Sequence, residues 1–146
     1  APYIIHPIRV ASILLHELTV TSADMLCAAL LHDVIEDCGI TENEIKNNFN
    51  ESVASMVRIL TKNPNISNSK RVYFDAIMQA EDHVRIIKLC DRLDNLRSLR
   101  LIRNKAKTTR YIKETEAQYL PIAAEISPYL FREMRFEIQY QRVRYR

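Results

Sequence analysis

The chain has 146 residues, of which 47% are hydrophobic, and its formal net charge is +3. This length suits one ordinary domain with its own hydrophobic core, so we expect residues 1–146 to form a single domain. No apolar run approaches the ~20 residues of a membrane-spanning helix, which argues against a membrane protein. The first ten residues also lack the basic and then apolar pattern of a signal peptide.

The glycine and cysteine content limits the possible fold class and the cellular compartment. Gly39 is the only glycine, which excludes the glycine-rich phosphate loops of Rossmann and P-loop proteins and leaves few places for tight hairpins. We therefore expect an all-α fold. The three cysteines, Cys27, Cys38 and Cys90, have no zinc-type spacing, and an odd number of this kind is typical of the reducing cytoplasm.

The apolar residues follow a helical period along nearly the whole chain and predict about eight helices. These cover about 7–18, the stretch from 21–24 to about 36, a stretch opening at 41, 50–60, 69–80, 82–100, 105–126 and 128–144. Pro7 and Pro128 suit first turns of helices, and Gly39 ends the second helix. The string TENE at 41–44 is a capping box, and Pro121 is expected to kink the seventh helix.

The strongest local feature is the string HDVIED at residues 32–37, which places four ionisable groups beside an apolar run. Burying them is costly unless they pair or bind a metal. On a continuous helix, residues four apart share a face, so we expect His32 over Glu36 and Asp33 over Asp37. This predicts a metal-binding pair followed by a proton-transferring carboxylate pair. The alternative is an acidic helix end with one satisfied histidine.

Basic residues concentrate in the second half of the chain. Between Arg85 and Lys113, ten lysines or arginines stand against two carboxylates, those of Asp91 and Asp94, whereas residues 1–60 hold three basic and eight acidic residues. Such a stretch attracts a polyanion, for example a phosphorylated nucleotide, or forms an ordinary solvated helix surface. The residues alone leave both interpretations open.

The helix over 82–100 is apolar on most of its circumference, which predicts a central position in the bundle. Asp91 on this helix needs a partner for its charge if it is buried. Lys88, Asn95 and Ser98 fall on the same face as Asp91 and form a polar stripe. Either a cation satisfies the carboxylate, or the stripe is an internal hydrogen-bond network.

Two histidines and two aspartates form the candidate metal site: His6, His32, Asp33 and Asp91. Imidazole and carboxylate ligands suit Mn²⁺, Fe²⁺ or Zn²⁺ and leave positions for water and substrate. A metal of this kind activates water as a nucleophile. Glu36 and Asp37 are placed to orient that water or to carry its proton.

Four strings, read in order, give the chain a family resemblance: PYIIHP at 2–7, AALLHDVIED at 28–37, TK at 61–62 and IKLCDRLDNLRSL at 87–99. Together they resemble the hydrolase domain of RelA/SpoT homologues and the small alarmone hydrolases, which are metal-dependent phosphohydrolases of the HD superfamily. A weaker similarity covers 111–123. The resemblance implies a helical HD-domain bundle and a cytoplasmic enzyme. The implied reaction is hydrolysis of the 3′-pyrophosphate of guanosine tetra- or pentaphosphate to GDP or GTP and pyrophosphate.

The resemblance also implies roles for single residues. It makes the four candidate ligands the site of a metal that is typically Mn²⁺, and Glu36 and Asp37 the catalytic acidic pair. Asn95 and Ser98 match nucleotide-contacting positions. Lys88, Arg92 and Arg97 are the cations nearest the stripe, and we expect them either to bind the substrate or to pair with the acidic helix. Arg9 and Lys62 are further candidates for the same role.

The chain departs from the family pattern in two places. Asp94 stands where the family usually has histidine, which adds negative charge near the site. The family also has a basic stretch before the PYIIHP string, whereas this chain begins at Ala1, so we expect a fragment that lacks its N-terminal helix.

Two other classes of function remain open. One is an HD phosphohydrolase acting on another nucleotide, such as NADPH, a dNTP or a nucleoside monophosphate. The other is a non-catalytic helical module that binds RNA or a protein through its basic face. The scattered tyrosines form no stacking platform, which argues against a nucleic-acid partner. The segment 135–146 is either an ordinary terminal helix or an oligomer contact.

Overall fold

The computed structural model describes residues 4–146, and every regular element within that range is helical, with no strand. This confirms the all-α prediction. Ala1–Tyr3 lie outside the described residues, and with them the start of the predicted domain and the first letters of the PYIIHP string. None of the described helices is long and apolar enough to cross a membrane.

Ten α-helices follow one another along the described chain. They are α1 Ile5–Ser12, α2 Ala23–Leu31, α3 Val34–Cys38, α4 Glu42–Asn48, α5 Glu51–Ile59, α6 Ser69–Gln79, α7 Asp82–Ser98, α8 Lys105–Glu114, α9 Leu120–Ile126 and α10 Pro128–Arg144. A π-helical turn, Ile13–Glu17, extends α1, and a 3₁₀ turn, Leu99–Leu101, extends α7. A second π-helical turn, Thr115–Tyr119, joins α8 to α9.

The helix count exceeds the predicted eight because two predicted helices are each divided in two. The expected continuous helix up to about Glu36 was wrong: α2 ends at Leu31, and α3 begins at Val34. The predicted helix over 105–126 contains the π-helical turn directly before Pro121. Proline lacks the N–H that would bond the carbonyl one turn earlier, so an irregular turn at this place agrees with the expected kink.

The chain divides into two compact units, Ala1–Lys88 and Leu89–Arg146. The boundary falls inside the continuous helix α7. The expectation of one domain over 1–146 stays a prediction.

In the first unit, α2 packs against α1 and α5, and α4 packs against α5. Fully buried apolar side chains fill these contacts, among them Val10, Leu14, Ala28, Ala29 and Val57. Burial of such side chains stabilises the fold by about 1.5–3 kcal/mol for each large one.

Caps fix where the helices of the first unit begin and end. The predicted capping box is present, because the Thr41 N–H donates to Glu44 Oε2 at 2.7 Å and the Glu44 N–H donates to Thr41 Oγ1 at 3.2 Å. Ser22 caps α2 by accepting from the Met25 N–H at 3.3 Å. Gly39 ends α3 with φ +68°, in the left-handed region that glycine tolerates best.

In the second unit, α9 packs against α10. Ser127 caps α10 by accepting from the Leu130 N–H at 3.2 Å, and Pro128 is the first helical residue, as predicted. Met134 and Ile138 are buried on one side of α10, and Phe136 is 60% exposed. The terminal segment is therefore a helix up to Arg144, and its role in an oligomer contact stays a prediction.

Candidate metal centre

The histidine and aspartate of the HDVIED string lie at the junction between α2 and α3. His32 is the C-terminal cap residue of α2, and Asp33 precedes α3 with φ −110° and ψ 0°. This backbone conformation belongs to the sparsely populated bridge region, where active-site residues often lie. On a regular helix, neighbouring residues do not face each other. The interruption lets these two adjacent side chains converge, with His32 Nε2 3.0 Å from Asp33 Oδ2.

His6, near the start of α1, joins this pair. Its ring lies edge-on to the ring of His32, with centroids 5.4 Å apart. One potential ligand atom from each of His6, His32 and Asp33 lies within 4.8 Å of the others. The structure therefore brings together three of the four predicted metal ligands.

The donor set of this cluster fits a divalent cation. His32 Nδ1 lies 2.6 Å from the carbonyl oxygen of Ala29, and a carbonyl only accepts hydrogen bonds, so Nδ1 carries the hydrogen. A hydrogen bond from one ring nitrogen to a backbone carbonyl is typical of metal-binding histidines, and it leaves the lone pair of Nε2, the nitrogen next to Asp33, for a cation that both side chains would share. Two ligand atoms each about 2.1 Å from one ion at a right angle would lie about 3 Å apart, close to the separation found here.

Asp91, the fourth predicted ligand, belongs to the second unit. It lies in α7 and is 6% exposed. Asn95 and Ser98 follow it on the same continuous helix, as the predicted polar stripe requires. Its assignment as a metal ligand stays a prediction.

The predicted catalytic pair, Glu36 and Asp37, lies on the short helix α3 that Asp33 opens. Both residues are exposed. Glu36 Oε1 accepts a hydrogen bond of 2.5 Å from the backbone N–H of Lys62. The carboxylate of Glu36 is thus held by the segment that follows α5, and the HDVIED string is tied to the TK string at 61–62.

The four predicted substrate-binding residues differ in the groups that they contact. The ammonium of Lys88 lies over the ring of Tyr73, 5.1 Å from its centroid. Arg97 forms an ion pair with Glu133 at 3.5 Å, as the alternative of acidic pairing expected. Ser98 donates its hydroxyl hydrogen to the Asp94 carbonyl at 2.9 Å, and Asn95 is half-buried.

Apart from Lys88, which lies over the Tyr73 ring, the cations of the basic stretch from Arg85 to Lys113 form two groups. Four of its ten cations pair with carboxylates: Arg85 with Asp82, Arg92 with Glu114, Arg97 with Glu133 and Arg100 with Glu137. Five others on and before α8 are exposed, and no carboxylate within residues 4–146 pairs with them: Arg103, Lys105, Lys107, Arg110 and Lys113. The cations on and before α8 therefore form a solvated surface, one of the two interpretations that the sequence left open. The attraction of a polyanion to the basic stretch stays a prediction.

Comparison with known protein families places this site in context. A family model of the HD domain matches residues 1–126. The chain belongs to the HD-domain family. The matched range contains α1 to α9 and therefore all the predicted metal-binding and catalytic residues.

Individual HD-domain relatives share a name. A guanosine-3′,5′-bis(diphosphate) 3′-pyrophosphohydrolase of Aquifex aeolicus is 41% identical over 127 residues, which are 84% of this chain and 18% of that protein. The mouse protein of the same name, MESH1, is 34% identical over 86% of this chain and 69% of its own length. The resemblance to RelA/SpoT homologues is thus confirmed.

A solved structure supports the HD-domain fold. It is that of a metazoan orthologue of SpoT, described as hydrolysing ppGpp. The two structures superpose with a TM-score of 0.85 at 28% sequence identity, covering 97% of this chain and 82% of the other. The prediction of an HD-domain helical bundle is therefore confirmed.

Sequence reasoning missed one part of the surroundings of Glu36. The TK string was noticed, but nothing in the sequence indicated that the Lys62 N–H bonds Glu36. Tyr73 was not singled out at all, although both Lys62 and Lys88 lie over its ring. The only available signal was the family resemblance of the TK string, because these contacts join segments distant in the sequence.

Proposed function

We propose that this protein is a metal-dependent phosphohydrolase that removes the 3′-pyrophosphate of guanosine tetra- or pentaphosphate, giving GDP or GTP and pyrophosphate. The observation that carries the proposal is the cluster of His6, His32 and Asp33. These residues and Glu36 occur along the chain in the same order as in the family's motifs. Relatives that carry the name of this activity match 84–86% of the chain.

The metal is proposed to be Mn²⁺. His6, His32 and Asp33 would hold it, and the family resemblance assigns Asp91 as the fourth ligand. A divalent cation held there supplies Lewis acidity toward a phosphoryl oxygen and lowers the pKa of water. Replacing Asp91 by alanine should abolish Mn²⁺ binding, measured by calorimetry. Unchanged Mn²⁺ affinity in a folded Asp91→Ala protein would remove Asp91 from the ligand set.

Glu36 and Asp37 are proposed to orient the attacking water and to move its proton. The water oxygen bonds to phosphorus, and the bond from that phosphorus to the 3′ oxygen breaks. The proton passes from the water through this carboxylate pair to the departing 3′ oxygen, so that charge and atoms balance. The hydrogen bond from the Lys62 N–H holds Glu36 in one orientation, which favours proton transfer from a fixed position.

The residues proposed to bind the nucleotide are Lys88, Asn95, Arg97 and Ser98. Lys88 offers a point charge to a phosphate. Arg97 has a carboxylate partner in Glu133, so a substrate phosphate has to share or replace that ion pair.

The proposed location is the cytoplasm, which agrees with the absence of disulfides among Cys27, Cys38 and Cys90.

A panel of nucleotides tests the substrate. Purified protein with Mn²⁺ is incubated with guanosine tetraphosphate, guanosine pentaphosphate, NADPH, a dNTP and a nucleoside monophosphate, and phosphate and pyrophosphate are assayed separately. We expect pyrophosphate from the two guanosine compounds. Hydrolysis of NADPH or a dNTP alone would favour the alternative HD phosphohydrolase. Inactivity toward the whole panel, also in a chain extended at its N-terminus, would favour a non-catalytic module.

A further inference from the structure

We propose that Lys62 and Lys88, whose ammonium groups both lie over the ring of Tyr73, form the subsite that binds the diphosphate group cleaved from the substrate. This inference rests on the proposed function and adds residues to it. Tyr73 has no role in the proposed function, and the subsite gives Lys62 and Lys88 a defined target, the cleaved diphosphate.

The first observation is the shared aromatic ring. Lys62 Nζ lies 5.5 Å from the centroid of Tyr73, and Lys88 Nζ lies 5.1 Å from it. Both distances are within the ~6 Å of a cation–π contact. The two ammonium groups are consequently held within about 11 Å of each other. Two positive charges so held repel each other, whereas a diphosphate, with anionic oxygens at both ends, would attract both.

The second observation concerns the partners of Lys62. Within the part of the chain that the structure describes, no carboxylate pairs with its ammonium, and its contact is with the Tyr73 ring. Nearby cations of the same unit have acidic partners: Arg58 pairs with Glu42 and Arg85 with Asp82. Lys62 is half-buried, so its charge is partly withdrawn from water and has greater effect on an anionic ligand.

The third observation is the position of Lys62 beside Glu36. Helix α5 ends at Ile59, and Thr61 Oγ1 then donates to the Val57 carbonyl at 2.7 Å. This turn directs the next backbone N–H, that of Lys62, to Glu36 Oε1. Because Glu36 is proposed to act at the phosphorus under attack, an anion next to Lys62 is the reacting end of the substrate.

A cleft lined by Lys62, though not by Tyr73 or Lys88, offers room for a ligand next to the Lys62 end of the subsite. It has a volume of about 680 Å³, within the range of ordinary small-molecule sites. Its polar lining includes the cations Arg58 and Lys62, the amides of Asn63 and Asn65, and the carboxylates of Glu36 and Glu42. The two asparagine amides add neutral hydrogen-bond donors suited to phosphoryl oxygens.

The test measures pyrophosphate itself as the probe. Calorimetric titration and product inhibition are compared for the unmodified protein with Mn²⁺, Lys62→Met, Lys62→Arg and the matched control Lys46→Met, which removes an exposed lysine of α4. In Lys62→Met we expect pyrophosphate affinity to fall about tenfold or more, as for loss of a charge-assisted hydrogen bond. Lys62→Arg and Lys46→Met should stay within about threefold of the unmodified protein.

Kinetics with guanosine tetraphosphate give a second readout. Lys62→Met should raise KM more than it lowers kcat, and its KM should depend less on salt concentration because one phosphate contact is lost. Tyr73→Phe, which keeps the ring face, should retain pyrophosphate affinity, whereas Tyr73→Leu should weaken it. A folded Lys62→Met protein with unchanged pyrophosphate affinity and KM overturns the subsite. An unmodified protein that does not hydrolyse guanosine tetraphosphate instead overturns the proposed function, so the two failures are distinct.

Discussion

His32 and Asp33 are neighbours in the sequence, yet His32 Nε2 and Asp33 Oδ2 lie 3.0 Å apart on the same side of the chain. The helix break between α2 and α3 makes this possible, because it turns Asp33 away from the direction that a regular helix would impose. The hydrogen bond from His32 Nδ1 to the Ala29 carbonyl fixes the ring in place. The pair is thereby arranged before any ion binds, which reduces the cost of ordering on binding.

The first prediction is that Mn²⁺ stabilises the protein through this pair. A ligand that binds only the folded state at 100 times its Kd adds about 2.7 kcal/mol to the free energy of unfolding. For a chain of this size, that raises Tm by roughly 5–10 °C. Chelator-treated protein should show the increase on addition of Mn²⁺ in a thermal melt. The Asp33→Asn protein should not, whereas Asp75→Asn, which alters an exposed carboxylate of α6, should respond fully.

The break between α2 and α3 could not be predicted from the sequence, whereas several helix starts could. The helical starts at Thr41 and Pro128 were predictable because a capping box acts on the backbone within three or four positions and proline suits the first turn of a helix. The string ALLHDVIED continues a helical apolar period through His32, so periodicity predicted one helix. At the interruption the His32 ring bonds the Ala29 carbonyl, and a contact of this kind does not alter the residue pattern.

The contacts of Glu36 could not be predicted from the sequence for a different reason. The hydrogen bond that it accepts from the Lys62 N–H joins positions 26 residues apart. Every residue except proline has a backbone N–H, so such a donor does not restrict the residue type. His6, His32 and Asp33 could be grouped because metal ligation restricts residue type to imidazole and carboxylate. A tyrosine that supports two lysines is not restricted in this way, since tyrosines also serve as ordinary core residues.

The second prediction separates proton transfer from metal binding. Glu36→Gln keeps the size of the side chain and an oxygen that can accept the bond from the Lys62 N–H, but it cannot take up a proton. Turnover should fall by about 10²–10⁴, the usual contribution of a positioned acid or base. Mn²⁺ affinity, measured by calorimetry, should stay close to that of the unmodified protein. Full activity of Glu36→Gln would exclude it as the proton-transferring group.

The third prediction concerns Gly39, which ends the helix that carries Glu36. Its φ of +68° lies in the left-handed region, and a Cβ there would meet nothing within 4 Å. Gly39→Ala should therefore lose about 1 kcal/mol of unfolding free energy from backbone strain alone. Gly39→Asn should lose less, because asparagine tolerates this region better. Urea denaturation measures both, and equal losses for the two variants would point to a cause other than backbone conformation.

The final prediction concerns Arg92, whose neighbour Asp91 is a proposed metal ligand. Arg92 is 4% exposed. It donates to Thr115 Oγ1 at 2.9 Å, to Glu114 Oε1 at 2.8 Å and to the Tyr111 carbonyl at 3.2 Å. It also lies 3.8 Å from the ring centroid of Tyr111. These contacts hold α7 against the end of α8 and the π-helical turn.

Arg92→Met should therefore lower the free energy of unfolding by about 1–3 kcal/mol, because buried Thr115 loses a donor and the Glu114 carboxylate loses its charged partner. The matched control is Arg58→Met, which breaks an exposed ion pair with Glu42 at 3.3 Å and should cost less than about 1 kcal/mol. Urea denaturation of both variants gives the comparison. If the two losses were equal, the buried arginine would contribute no more than a surface charge, and the link between α7 and α8 would have to come from apolar packing alone.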